Sequence, residues 1–385
     1  MSDDLKQLDS TYIMPTYKRQ DLILEKGSGC YVFDSNGKKY LDFFGGLATC
    51  SVGHANPAVT KAITDQAKKL ISVSNLYYTE PPVRLAKKLS ELSGLKKVFF
   101  SHSGADANEA AIKLAKRVTG KKEFIAFSGA FHGRTTGSLA LTWSQQYKEP
   151  FLPLAPATKF ATYNDIVSLE SLINDDTAAV IVEPIQGEAG VVVPDENFLR
   201  QVRKICTKHH ILMIVDEVQT GIGRTGTFFA YSRSNIKPDI VTLAKGLANG
   251  VPIGACLSDY ELELGEHGST LGGNSLSCAA ANATVDYIEK NNLVKNAETI
   301  GDYLMDSLRS LQKTTPLIED VRGQGLMIGI VLEKPEAARI VKSSMSGGLL
   351  CNAAAPNVVR LLPPLIATKE QADECLDILG KALQS

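Results

Sequence analysis

Two charged residues close strongly apolar runs: Asp216 in ILMIVDE and Lys245 in DIVTLAK. An acid at the end of such a strand, in an open α/β sheet, stands at the carboxyl edge where ligands bind. A carboxylate is costly to bury there without a cationic partner. A lysine in a similar place has its pKa lowered by desolvation, and a neutral amine can form a Schiff base. On their own the two residues read equally well as strand ends facing solvent. The same stretch carries a rival signal, since Gly221, Gly223 and Gly226 have the G-x-G-x-x-G spacing of a dinucleotide-binding turn. Such a turn needs its first glycine directly after the strand and a helix starting within the motif, so that pyrophosphate meets the helix N-terminus. Here Asp216 to Thr220 intervene, and the following TFFAYSRSNIKP has no helical period. The glycines read as a turned loop, and a nicotinamide-dependent oxidoreductase is only the formal alternative.

The stretch SHSGADANEAAIKLAKRV decides between these readings. Ala107, Ala110, Ala111, Leu114, Ala115 and Val118 share one helical face. The helix begins near Ser103, which has capping-box spacing to Asp106. Gly104 and the small Ala105 let backbone N–H groups approach an anion at the positive end of the helix dipole. Alone, this is equally an ordinary well-capped helix. AFHGRTTGS adds Phe131, His132 and Arg134 at the end of another apolar run. A phosphate cradle, an aromatic to stack on a ring, an acid for a pyridinium nitrogen and a lysine to form an imine together describe a pyridoxal phosphate site. No nicotinamide site needs that set.

Such a constellation must be held by a sheet. Between roughly residues 56 and 254, short apolar runs alternate with helical patterns, which predicts an α/β architecture with a mainly parallel sheet and crossover helices. Strands are expected over 97–101, 123–127, 178–184, 211–217 and 239–245, and helices over 56–70, 81–92, 105–118 and 195–210. Residues 20–44 read as an antiparallel hairpin turning at Asp34-Ser35-Asn36-Gly37. Both ends are expected in one smaller α+β lobe, built from 1–50 and 291–385 around a large domain over 51–290. At 385 residues the chain is long enough to bury a large core. With 41 basic against 42 acidic residues it shows no nucleic-acid footprint. No apolar run reaches membrane-spanning length, and MSDDLKQLDS lacks the layout of a signal peptide. The seven scattered cysteines include no C-x-x-C, so neither a metal site nor a disulfide framework is expected. The reading is a cytoplasmic protein with small-molecule partners.

The blocks SGADANEAAIKLA, AFHGRTTG, EPIQGEAGV, DEVQTGIGRTG, LAKGLANGVPIGA, HGSTLGGN and VVRLLPPL, in this order, resemble the class III (ornithine/acetylornithine type) aminotransferases of fold type I. The resemblance runs from about residue 20 to the end. It implies that Lys245 holds pyridoxal phosphate covalently as an imine and that Asp216 pairs with the ring nitrogen. Gln219 would meet the phenolic oxygen, Val218 and Phe131 would pack on opposite ring faces, and Glu217 would stand among the cofactor contacts. Gly104 and Ala105 would bind the phosphate. Thr270 would reach the phosphate of the neighbouring subunit, making a homodimer necessary, and Ser269 would touch substrate. Arg134 would bind the substrate carboxylate, for which a bidentate guanidinium suits better than an ammonium. Arg360 would be a second anchor for glutamate and 2-oxoglutarate, with Glu188 as its switchable partner. Read without the resemblance, Arg360 and Glu188 are solvated surface charges. The implied reaction moves the terminal amine of N-acetylornithine to 2-oxoglutarate, a step of arginine biosynthesis. Ornithine, 4-aminobutyrate, succinylornithine or a carrier-linked lysine intermediate are the alternative donors. Asp106 stands where the family usually has Glu, while Leu271 and Ser275 replace a common Phe and Pro, which leaves the shape of the substrate pocket open.

Overall fold

The apolar runs become a seven-stranded sheet buried on both sides. In chain order its strands follow a three-stranded N-terminal meander of β1 (Leu24–Ser28), β2 (Tyr31–Asp34) and β3 (Lys39–Asp42). The sheet itself comprises β4 (Lys97–Ser101), β5 (Glu123–Phe127), β6 (Thr158–Ala161), β7 (Thr177–Val182), β8 (Leu212–Asp216), β9 (Ile240–Leu243) and β10 (Gly254–Ser258). Their spatial order is β4-β10-β9-β8-β7-β5-β6. Pairings from β9 through β8, β7 and β5 to β6 are parallel, and β10 runs antiparallel to both β4 and β9. The structure is a computed structural model that describes residues 2–384; positions 1 and 385, the outer ends of the expected terminal segments, lie outside the described residues.

Every residue of β7 and β8 is buried, as parallel strands covered by helices on both faces must be. One face packs Ala110, Ala111, Leu114 and Ala115 of the Gly104–Thr119 helix against Phe124, Ile181 and Ile214. The other face joins Ile125, Val180, Met213 and Val241 to a core that continues into Leu41, Phe43, Ile328, Leu349 and Leu361. The terminal segments therefore share hydrophobic contacts with the sheet. After β10 the chain forms β11 (Ile318–Gln324), β12 (Met327–Leu332), β13 (Leu349–Leu350), β14 (Asn352–Ala355) and β15 (Val358–Leu361). β13 pairs parallel with β3, bringing Leu349 opposite Leu41, while the other four make a separate antiparallel sheet.

Some expectations need correction. The segment 20–44 is a meander rather than one hairpin: Gly29, at φ 58°, makes an additional tight turn between β1 and β2. The helix expected over 195–210 is confined to Phe198–Lys208, because Phe198 N–H bonds to Asp195 O and closes a turn, and His210 takes a left-handed φ of 51°. The glycine loop after β8 runs into no α-helix. Gly223 and Gly226 have φ of 87° and 83°, a conformation that glycine adopts without penalty. Between them, the buried Arg224 donates from Nη1 to Leu326 O at 3.0 Å and to Pro363 O, and Leu326 N–H returns a bond to Arg224 O. The fingerprint spacing thus belongs to a strut that ties the central sheet to the C-terminal segment.

Candidate active site

The carboxyl ends of the parallel strands open into a cleft of about 440 Å³, the position expected for ligands of an open α/β sheet. Asp216 is the last residue of β8 and is paired in register with Thr242 of β9. Its buried carboxylate is heavily held: Oδ2 accepts from Asn108 Nδ2 at 2.8 Å and lies 2.8 Å from His132 Nδ1, and Oδ1 accepts from Val218 N–H at 3.0 Å. Lys245 stands two residues beyond the end of β9 with φ of 40°. A non-glycine residue in that region is strained, and such strain persists only where the surroundings enforce it. Burial pushes the Lys245 amine below its usual pKa range, and the positive charge of Arg360 adds to this, while Glu188, Asp216 and Glu183 oppose it. Desolvation dominates, so the neutral amine is more accessible than in water.

The anion end of the cleft is the start of the Gly104–Thr119 helix. Ser103 Oγ accepts from Asp106 N–H at 3.2 Å. The N–H groups of Gly104 and Ala105 have no intrahelical acceptor, and both residues line the cleft. A Cβ on Gly104 would lie 2.6 Å from Val218 Cγ1, so only glycine lets the helix start pack this closely against Val218. The Asp106 departure is absorbed locally, for its Oδ2 accepts from His102 N–H at 3.2 Å and lies 2.8 Å from His102 Nδ1.

Phe131 and Val218 line the same cleft, as do Gln219, Glu188 and Arg134. Phe131 N–H bonds to Glu183 Oε2 at 3.1 Å, and Glu109 holds the next helix by accepting from Gly137 N–H and Ser138 N–H. Arg360, in β15, is 0% exposed, so it is not a surface charge. Its Nη1 donates to Glu188 Oε1 at 2.8 Å, Gly187 O at 2.9 Å and Gln219 Oε1 at 3.2 Å, and its Nε donates to Asn352 Oδ1 at 3.1 Å. Among the described residues, Nη2 is buried without a partner. Burial opposes ionisation of Glu188, but Arg360 and Lys245 outweigh it and hold the carboxyl below the usual range.

Not every expected residue meets here. Glu217 points away, because successive strand residues face opposite sides: its carboxylate accepts from Thr220 Oγ1 at 2.6 Å and Tyr231 N–H at 2.8 Å. Thr270 is exposed and outside its own chain's cleft, and Ser269 reaches only the rim, with Oγ 3.2 Å from His102 Nε2. Leu271 is exposed, and Ser275 opens a helix with its hydroxyl donating to Thr79 Oγ1 at 3.1 Å. Conversely, Asn108, His132 and Glu183 hold or flank the Asp216 carboxylate. Glu183 is wholly buried, its pKa pushed up to about 7 by burial, with His132 opposing and Asp216 adding to the rise. A polar residue beside the apolar face of the Gly104–Thr119 helix was the available signal for Asn108, since buried polar groups are there to be bonded.

These features suit pyridoxal phosphate: N–H donors at the helix start for an anion, an aliphatic and an aromatic side chain for a ring, a fixed carboxylate and an amine with no partner among the described residues. The Aminotransferase class-III family model matches residues 12–383. An acetylornithine aminotransferase of Archaeoglobus fulgidus is 45% identical over 380 residues, covering 98% of this chain and 99% of the relative. Its counterpart in Methanothermobacter thermautotrophicus is 44% identical over 386 residues, covering 99% of each. Among solved structures, an ornithine aminotransferase of Toxoplasma gondii, described with partial occupancy of PLP at its active site, superposes with a TM-score of 0.96 at 31% identity, over 100% of this chain and 94% of that one. An acetylornithine aminotransferase of Elizabethkingia anophelis gives 0.88 at 34% identity, over 100% and 99%. With cleft, fold and relatives in agreement, the chain belongs to the class III aminotransferases, whose cofactor is pyridoxal phosphate.

Proposed function

We propose that the protein transfers the terminal amino group of N2-acetyl-L-ornithine to 2-oxoglutarate, giving N-acetyl-L-glutamate 5-semialdehyde and L-glutamate in arginine biosynthesis. The observation that carries the reaction class is the Lys245 amine, lowered in pKa by burial, in one cleft with the thrice-bonded Asp216 carboxylate. The donor follows from the acetylornithine aminotransferases that the chain resembles over nearly their full length.

When bound, pyridoxal phosphate supplies an aldehyde that takes up the amino group and a ring that draws electrons from the substrate carbon. Lys245 Nζ would hold the cofactor, and as a free amine would take the proton from the amine-bearing carbon of the substrate and return it. The Asp216 carboxylate keeps the ring nitrogen protonated, and Asn108, His132 and the Val218 N–H keep that carboxylate in position. Gly104 and Ala105 bind the phosphate, Gln219 meets the phenolic oxygen, and Val218 and Phe131 enclose the ring. Arg134 takes the substrate carboxylate. The Glu188–Arg360 pair acts as a gate: closed, it shields the guanidinium from a donor with no second acid, and opened, it offers Arg360 to the diacid of the other half-reaction.

The active form is a homodimer in which Thr270 completes the neighbour's phosphate site. Supporting this, Leu76 and Tyr78 are 87% and 100% exposed, and Asn75 ties their segment to Ser269 O and Gly272 O at 2.9 Å. The cytoplasm fits the seven cysteines, all free, and among the described residues no helix is long and apolar enough to cross a membrane. The donor is tested by kcat/KM on acetylornithine, ornithine and 4-aminobutyrate side by side. Acetylornithine should be preferred; a higher value for either rival would reassign the substrate within the family.

A further inference from the structure

Two guanidinium groups stand at this cleft, Arg134 in its lining and Arg360 behind the Glu188 that lines it, and they are held in opposite ways. Arg360 is wholly buried, with Nη1 occupied by Glu188, Gly187 O and Gln219. Arg134 lines the mouth, is exposed, and makes no hydrogen bond or ion pair among the described residues. Two rings hold it instead. Its Cζ lies 3.5 Å from the centroid of the Tyr147 ring and 5.6 Å from that of Phe131. The rings themselves meet edge to face, with centroids 6.4 Å apart at 89°. Tyr147 sits on the short Gln145–Lys148 helix and is itself half-buried.

A ring face attracts a planar cation through its quadrupole and uses none of the five guanidinium N–H donors. An acidic partner would also fix the arginine, but it would occupy those donors and would have to be displaced by every incoming carboxylate. Stacking solves both problems: the fork is oriented in advance and its donors stay open for a bidentate ligand. The contact uses the face of the Tyr147 ring, not its hydroxyl.

We propose that Tyr147 is a positioning residue for carboxylate-bearing substrates: it is the pedestal that presents Arg134, and its contact with Phe131 keeps that arginine in register with the ring stacked on the cofactor. This rests on Arg134 being the carboxylate anchor. The holoenzyme is compared as wild type, Tyr147→Leu, Tyr147→Phe and Arg134→Gln. Three quantities are read: steady-state constants for acetylornithine, the Kd of unreactive valerate from the change in the visible band, and the Kd of pyridoxal phosphate. Tyr147→Leu should raise KM and the valerate Kd together by roughly tenfold, with kcat and cofactor affinity within about twofold. Tyr147→Phe should behave as wild type. If Tyr147→Leu leaves valerate binding unchanged while Arg134→Gln weakens it, the pedestal is wrong and the anchor stands. Equal losses in cofactor and valerate affinity, or a Phe variant as impaired as Leu, would also overturn the pedestal, by making Tyr147 a general structural residue. If Arg134→Gln itself leaves valerate binding intact, both the anchor and the pedestal fall.

Discussion

At the scale of single residues, adjacent acids on one strand end have been given different tasks by the pleat. Asp216 faces the cleft and is bonded by three donors, whereas Glu217 turns into the protein, its pKa pushed up to about 7 by burial, with the Thr220 and Tyr231 bonds opposing the rise. A carboxyl whose folded pKa lies above its ordinary value near 4.5 binds a proton in the folded state that the unfolded state has lost. Its contribution therefore favours folding least at high pH: the cost is absent below about pH 4.5, grows as pH rises, and is complete above about pH 7. Replacing Glu217 with Gln removes the titration. The unfolding free energy of Glu217→Gln relative to wild type should accordingly improve by up to about 3 kcal/mol between pH 5 and pH 8. Chemical denaturation at the two pH values measures it, and a pH-independent difference would show that Glu217 is ionised throughout. The lost Thr220 contact shifts both points equally and does not affect the comparison.

At the scale of elements, the start of the Gly104–Thr119 helix uses one absent Cβ to pack against Val218 beside the cleft. Alanine is at least as good as glycine within a helix, and Gly104 does not have a left-handed φ. The methyl group of Gly104→Ala would instead meet Val218 Cγ1 and Cγ2 at 2.6 and 2.8 Å, forcing the side chain proposed to pack on the ring to move. The expected outcome is a split: apoprotein stability within about 1 kcal/mol of wild type, but cofactor affinity weakened roughly tenfold. Cofactor titration beside apoprotein melts would detect it, and unchanged affinity would mean that the ring does not rest on Val218. The same element shows what was legible in the sequence. Its apolar face and Ser103 cap follow from local spacing, as do the apolar runs that became β4, β5, β7, β8 and β9. Residues at the ends of those runs, namely Asp216, Lys245, Phe131 and the 104–105 pair, could be picked out for the same reason. Strands β6 and β10 could not: TKFA and GACLS are short and carry weak local preference, and they are strands because neighbouring strands pair with them. Glu183 and Tyr147 were equally invisible, and the polar Asn108 beside an apolar helix face announced a buried partner without naming it. Each acquires its part from a contact with a distant segment, and no periodicity within its own segment encodes that contact.

At the scale of the whole molecule, the arrangement leaves the contact expected of Thr270 with the cofactor phosphate unmade within a single chain. Thr270 and Leu271 are exposed, and Asn75 links their loop to the apolar surface of Leu76 and Tyr78, whose burial would favour a second copy. In a two-fold dimer each surface meets its own equivalent, so a loop that leaves one cleft can enter the other. This makes a prediction that own-chain chemistry cannot imitate. Lys245→Ala inactivates the cleft of the chain that carries it, while Thr270→Asp, by setting a negative charge against a phosphate, inactivates whichever cleft the loop serves. Each variant alone should be close to inactive. If Thr270 serves the neighbour, denaturing the two variants together and refolding them gives mixed dimers with both lesions in one cleft and none in the other, so about a quarter of wild-type activity returns. If Thr270 serves its own chain, each mixed dimer has one lesion in each cleft and refolding restores nothing. Size-exclusion chromatography of the refolded material separates an answer from a failure to assemble: activity that stays at background while dimers form would assign the threonine to its own subunit.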